Sequence, residues 1–332
     1  VALPDAAASY WRQQQRINAS ATALAGRAWE LTNGDPARWE STLDSVVAAV
    51  SRAQARAVLM AGGYVENALS ELDIDAEPLA RVNPAPLIGR TGSGVPLGSL
   101  YSGLPEQHRL RLLENPDATG LAMTATRRQL EASVQTAVSD AARAAESLHI
   151  TTRNGVGYVR MLVPPSCKRC VVQAGKYFRW NAGFKRHERC DCRHVPASES
   201  VAGDMRVNPK RYFRRLPKAE QDKQFGVAGA QAIRDGASLT QVVNADSGMR
   251  VAQVYGRNLA ITDQGVTRFG YAGQVFQARG RRAYSTPRLM PESIYQIAED
   301  RTDAIRLLRL NGYVTPDDAG LDSIEELLAQ SI

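Results

Sequence analysis

Apolar side chains recur at Tyr10, Ile17, Ala21, Leu24, Ala28 and Leu31, in steps of three, four and seven. That spacing draws one stripe along a helix and predicts a helix over residues 4–32. Asn33-Gly34 stops the pattern and Asp35-Pro36 restarts it, with the carboxylate as N-cap and proline at the first helical position. The next stripe is Trp39, Leu43, Val46, Val50, Ala53 and Ala57, interrupted at Gly62-Gly63 and expected to resume through Leu72. Two stripes joined by a short turn predict an N-terminal antiparallel helical hairpin over residues 1–76.

Residues 77–120 carry no such period. Their Pro-, Gly- and Ser-rich run, PLARVNPAPLIGRTGSGVPLGSLYSGLP, reads as a linker, or as an extended arm that touches a partner. The segment GRTGSG within it lacks both a preceding strand and the Gly-Lys-Ser/Thr ending of a phosphate loop, so nucleotide binding is not expected there. Residues 121–156 hold a long helix, with Leu130, Val134, Ala137, Ala141, Ala145 and Leu148 on one face. GYVRMLV (157–163) is short and β-branched between glycine and a proline pair, and predicts a strand that opens a module over 157–203.

From 204 to 332 the chain reads as mixed but mainly helical. KRYFRR is a basic, aromatic turn, and a helix starts at Pro217. Ser238 caps a short helix, and Pro291 opens one that ends at Asn311-Gly312. SIEELLAQSI forms a last amphipathic piece. The fold class expected is α+β, predominantly α-helical: a helical N-terminal domain, a small central module and a mainly helical C-terminal region. Aromatics at 6% and abundant alanine agree with helices more than with a β-sandwich.

Length adds that 332 residues suffice for two or three domains. A formal net charge of +7 suits an acidic partner, nucleic acid or protein. No run of apolar residues is long enough to span a membrane. The opening VALPDAAASYWRQQQ has no basic segment followed by an apolar one, so no secretory signal is expected and a reducing cytosol is expected for the cysteines.

All four cysteines fall in one stretch: Cys167 and Cys170, then Cys190 and Cys192, with His187 three residues before Cys190. Zinc takes four soft or borderline donors in a tetrahedron, and two close pairs separated by a loop supply them with little strain. His187 with Cys190, or Cys190 with Cys192, can complete the set begun by Cys167 and Cys170; His194 is a poorer candidate. Five candidate donors exceed four, which leaves no open position for a catalytic water and favours structural Zn2+. Tyr177, Phe178, Trp180 and Phe184 can pack around so small a module, whose folding then draws on metal binding.

Pro-Pro-x-Cys-x-x-Cys, Gly-Lys-x-Phe and His-x-x-Cys-x-Cys-x-x-x-Pro together resemble the minor capsid, or head morphogenesis, proteins of tailed bacteriophages, the Mu F-like group. The stretches FRRLPKAEQDKQFGVAGAQAIRDGASLTQVVNADSGM and RLMPESIYQIAEDRTDAIRLLRLNGYV look like the versions from phages of actinobacteria. The resemblance covers most of residues 1–315 and is strongest from 157 onward. It implies a virion protein of the capsid interior, made in the host cytoplasm and associated with the portal protein at the unique vertex. It also implies contact with packaged double-stranded DNA and, through assembly, with major capsid or scaffold protein. No membrane partner is implied.

Some relatives carry the label capsid maturation protease, the alternative function. The residues for it are not evident. There is no Gly-x-Ser-x-Gly elbow and no His-Glu-x-x-His, and of four histidines, His187 reads as a ligand and His149 as a helix C-terminal cap. No catalytic residue is assigned and the chain is read as a non-enzyme. The basic clusters are the stronger lead. Lys210, Arg211, Arg214 and Arg215, with Arg279, Arg281, Arg282 and Arg288, mix cations with aromatics and suit sequence-nonspecific contact with phosphates. Residues 1–150 are then expected to dock on portal subunits while the zinc module and C-terminal part face the capsid interior.

Overall fold

A computed structural model describes residues 4–162, 167–182, 193–202, 208–254, 256–283 and 286–331. These are mostly helical, with two small antiparallel sheets, so the α+β class expected from the pattern is the one observed. No helix among the described residues is long and apolar enough to cross a membrane. The protein divides into two compact units, 1–166 with 174–206, and 167–173 with 207–332.

The first unit is built on α1 (Asp5–Thr32), α2 (Pro36–Leu59), α3 (Ala61–Ser70), α4 (Leu97–Ser102), α5 (Leu104–Glu114) and α6 (Thr119–Thr151). The α1–α2 hairpin forms as expected: Asn33 turns the chain through a left-handed conformation, and the Asp35 side chain accepts from the Arg38 N–H at 2.8 Å. It does not stand alone, because α6 packs along α1, α2, α3 and α5. A helix with neighbours on several sides needs small residues for close approach. Ala137, Ala141, Ala142 and Ala145 are buried beside Leu130, Val134 and Val138. Trp29 and Trp39 meet edge to face at 5.4 Å in this core, and Trp39 Nε1 donates to the Tyr101 carbonyl at 2.9 Å.

The buried face of α1 differs from the stripe read from its leucines. Leu24 and Leu31 are 38% and 79% exposed, while Ala21, Ala25, Trp29 and Thr32 point inward. Small residues let α1 approach α2 and α6 closely, and Trp29 fills the space that remains. The 77–120 run is not an arm. Leu97, Tyr101 and Leu104 are buried against the helical core. Gln54 pins the preceding loop, donating to the carbonyls of Arg90 (2.7 Å) and Ala137 (3.1 Å) and accepting from the Gly89 N–H (2.8 Å).

Strand β1 (Val156–Met161) follows α6 and pairs antiparallel with β2 (Tyr177–Arg179) on one side and β3 (Arg193–Ser198) on the other, with a short α8 (Glu199–Ala202) after β3. The sheet is covered by α3 and the start of α1. Gly157 has no alternative there, since a Cβ would lie 2.3 Å from the Phe178 carbonyl oxygen.

The second unit takes α7 (Lys168–Gln173), α9 (Pro209–Arg215), α10 (Lys218–Phe225), α11 (Val227–Arg234) and α12 (Leu239–Ala245). A hairpin of β4 (Met249–Val254) and β5 (Arg257–Thr262), α13 (Tyr271–Ala278), and the two-residue β6 (Arg288–Leu289) follow. The last elements are α14 (Pro291–Ile297), α15 (Arg301–Leu310), α16 (Pro316–Ala319) and α17 (Ile324–Ala329). The core joins Val242, Met290, Ile294, Leu308, Tyr313 and Leu327.

KRYFRR lies in the helix α9 and not in a turn: the Asn208 side chain accepts from the Arg211 N–H at 3.1 Å, and proline begins the helix. The single helix expected from Pro291 is two. Ala298 is extended, and Asp300 caps α15 by accepting from the Asp303 N–H at 2.8 Å. Ser238 precedes α12 but makes no side-chain cap; its backbone N–H donates to the Tyr313 carbonyl at 2.7 Å.

Candidate functional site

Cys167 and Cys170 sit at the start of α7, with their Sγ atoms 2.9 Å apart and the Cys170 N–H donating to Cys167 Sγ at 3.3 Å. The separation is far longer than a disulfide bond of about 2.05 Å. It is shorter than the roughly 3.7 Å between two thiolates on one tetrahedral zinc with Zn–S near 2.3 Å. Widening the Sγ separation by under about an ångström, through rotation about the two χ1 bonds, would seat a metal. Cys170 is buried, which removes it from bulk solvent. The helix is anchored between these thiols: Lys168 is ion-paired with Asp246, and Arg169 donates to Ser247 Oγ at 3.1 Å. The other candidate ligands, His187, Cys190 and Cys192, lie outside the described residues. No group of three His, Cys, Asp or Glu is gathered among those that are described. Two sulfur donors, a pair whose chemistry fits zinc, are thus brought within chelating reach of each other.

The predicted basic residues all belong to the second unit and fall into three kinds. Arg211, Arg214 and Arg215 on α9 are exposed and make no ion pair among the described residues; Arg281 and Arg282, just past α13, are also exposed. Lys210 is ion-paired with Asp318, and half-buried Arg279 donates to the Leu310 carbonyl at 2.7 Å. Arg288 is fully buried. Its guanidinium lies 4.4 Å from the centre of the Tyr313 ring and donates to the Gly312 carbonyl (3.2 Å) and to the Gln241 carbonyl and side-chain oxygens (both 3.3 Å). Burial pulls its pKa down, an effect the neighbouring Tyr313 opposes. Arg288 is thus a correction to the cluster read from sequence, because no phosphate can reach it. The α9 helix packs on α7, so exposed cations and the first cysteine pair occupy adjoining elements.

The histidines separate in the structure. His108 is buried edge-on to Trp29 at 5.6 Å. His149 lies near the end of α6 over Gly62 with its pKa lowered, chiefly by burial and then by the nearby Arg153 guanidinium. It therefore favours the neutral form, which weakens the reading of a cationic cap. Neither is hydrogen-bonded to a hydroxyl group among the described residues. His194, on β3, faces the interior, with its ring 4.0 Å from that of Tyr158 and Nδ1 3.7 Å from Glu146 Oε2.

A buried polar group in the first unit escaped the pattern reading. The Tyr10 and Tyr64 rings stack at 4.1 Å, and Tyr64 donates to the His194 carbonyl at 2.5 Å. Glu146 and Arg193 are buried beside them. Burial first, and then the Glu146 carboxylate, hold both phenols protonated far above the ordinary tyrosine range; Arg193 opposes the shift. The one sequence sign was a glutamate next to Ala145 and Ala142 on the apolar side of α6. Chemically the group fixes β3 against α1, α3 and α6, a registry role of the kind buried ionic residues serve best.

No family model, curated protein or solved structure matches this chain.

Proposed function

We propose that this chain is a minor capsid, or head morphogenesis, protein of a tailed bacteriophage. In this reading it binds the portal vertex, enters the head during assembly and contacts packaged DNA without reading its sequence. The reading rests on one observation above others: the ordered Cys-x-x-Cys, Gly-Lys-x-Phe and His-x-x-Cys-x-Cys motifs with their long flanking stretches resemble the Mu F-like group. Two geometric facts support it. The thiols of Cys167 and Cys170 lie within chelating reach, as a structural zinc site needs. Arg211, Arg214 and Arg215 present an exposed cationic helix beside them, suited to phosphates.

Zinc would be held by Cys167, Cys170 and two of His187, Cys190 and Cys192, and would supply folding energy to the central module. The first unit, with its helices braced around α6, is the part proposed to meet portal subunits. Major capsid or scaffold protein is a further partner in assembly. The test is co-sedimentation of the purified chain with assembled portal rings, alongside double-stranded DNA binding over a salt series. Binding to portal, with DNA affinity that falls steeply in salt and ignores sequence, supports the proposal. Absence of portal binding, or sequence-selective DNA binding by the isolated chain, defeats it.

A further inference from the structure

The first unit holds a cavity of about 600 Å³ where the α1–α2 turn meets α5. Leu43, Leu112, Pro36 and Pro105 give it apolar walls over Trp39. His108 closes it from the side; the ring is 5% exposed, and its Nδ1 has no hydrogen-bond partner among the described residues. Gly34 keeps that ring in place, since at φ 77° it presents no side chain, and a Cβ would lie 2.6 Å from the imidazole. The charges on the rim are unequal. Glu106 is paired with Arg109 at 2.7 Å, but the exposed Glu40 makes no ion pair among the described residues. A volume of this size takes one large side chain with its backbone, and Glu40 calls for a cation beside it.

The second unit carries a knob of that description. Phe269 is 86% exposed, the most exposed large apolar side chain among the described residues, and Arg268 lies 6.0 Å from its ring. The tip that holds them is braced. Gly270 N–H donates to the Thr267 carbonyl at 2.9 Å, Gln277 to the Arg268 carbonyl at 3.1 Å and Gln274 to the Phe269 carbonyl at 3.3 Å. An apolar cavity and a rigid aromatic are both costly to hold in water, and a fixed tip loses little freedom on docking.

We propose that the Arg268-Phe269 tip of one copy of this chain docks in the α1–α2–α5 cavity of a second copy. Phe269 fills the apolar walls and Arg268 pairs with Glu40. The contact is between unlike patches, a knob on one copy and a cavity on the other. One knob buries far less than a stable interface of about 1,200 Å², so the affinity is weak, with Kd on the order of 10⁻⁴ M. The inference does not depend on the capsid reading.

The test is sedimentation equilibrium of the full chain from roughly 10 to 500 µM, a range that brackets that Kd. Concentration-dependent association is expected. Phe269→Ala and Glu40→Arg each weaken it by about tenfold or more, and Glu40→Arg combined with Arg268→Glu recovers it. All three positions are exposed, and circular dichroism checks that the variants remain folded. A chain that stays monomeric over the whole range overturns the proposal and leaves the cavity to another protein's apolar side chain. Association that Phe269→Ala does not weaken, or single charge reversals that the double reversal fails to rescue, overturns it equally.

Discussion

Replacing Arg288 separates a structural cation from a DNA-binding one. In the fold its guanidinium stacks on Tyr313 and donates to the carbonyls of Gly312 and Gln241. Removing it leaves two buried carbonyls without a donor, at about 1–3 kcal/mol each, and ends a desolvated cation–π interaction of about 1–2 kcal/mol. Relief of the buried charge returns several kcal/mol in the opposite direction. The balance for Arg288→Ala is a loss of about 2–4 kcal/mol, part of it from the cavity beside Tyr313. Arg288→Met keeps the apolar stem and loses about half as much. Urea denaturation of the full chain followed by circular dichroism reads the change in the second unit, and a salt series of double-stranded DNA binding reads which cations meet phosphates. The logarithmic salt slope is expected to stay at the parent value in Arg288→Met. It becomes shallower by about 0.9 for each phosphate that Arg211→Ala, Arg214→Ala or Arg215→Ala ceases to neutralise. Stability within about 0.5 kcal/mol of the parent, together with a slope reduced by about one, would refute the assignment of Arg288 to the core.

Gly157→Ala places a Cβ 2.3 Å from the Phe178 carbonyl oxygen and against the Tyr177 ring, so β1 and β2 must part; a loss of about 2–4 kcal/mol is expected in thermal or urea unfolding, and an unchanged midpoint would contradict the register. Burial alone would raise the pKa of Asp235, but hydrogen bonds from Gln231, Tyr295 and Arg301 outweigh it and hold the carboxyl below its usual value. Its stabilisation is therefore complete above the unfolded pKa, near 3.9, and is lost as pH falls through the lowered folded value. Asp235→Asn is expected to cost about 1 kcal/mol at pH 7 and to flatten the acid limb of stability against pH; an acid limb that keeps its slope would contradict this. Metal analysis of the purified chain should find one zinc, lost in Cys167→Ser and Cys170→Ser. Separate His187→Ala and Cys192→Ser variants identify the remaining ligand by which one loses metal, and a chain that carries no zinc with all its thiols reduced would remove the site.

Long elements were legible where large apolar residues set the phase. The α2 stripe from Trp39 to Ala57 lies buried except for half-buried Leu43, and the α6 stripe is buried from Leu130 to Ala145, while Leu148 at its end is 40% exposed. In α1 the leucines misled, because packing of helix on helix there is decided by Ala21, Ala25 and Trp29. The 77–120 run hid α4 and α5, whose prolines sit at helix starts and mimic loop punctuation, and whose order depends on Gln54, distant in sequence. The β4–β5 hairpin left little trace, since Val251 and Met249 on β4 are 70% and 56% exposed and show no buried alternation. At the candidate site, the first cysteine pair was readable from spacing, and the structure brings its thiols together. Whether a given arginine faces solvent was not readable: Arg281 and Arg288 look alike in sequence, and only the Tyr313 ring and its neighbouring carbonyls draw one of them inside.

The most direct test of the capsid reading is a reconstruction, without imposed capsid symmetry, of virions assembled in a host that expresses this gene. The proposal predicts density for this chain inside the head at the portal vertex, with the helical first unit against portal subunits. Virions that lack the chain, or a chain distributed evenly over the icosahedral shell, would contradict it.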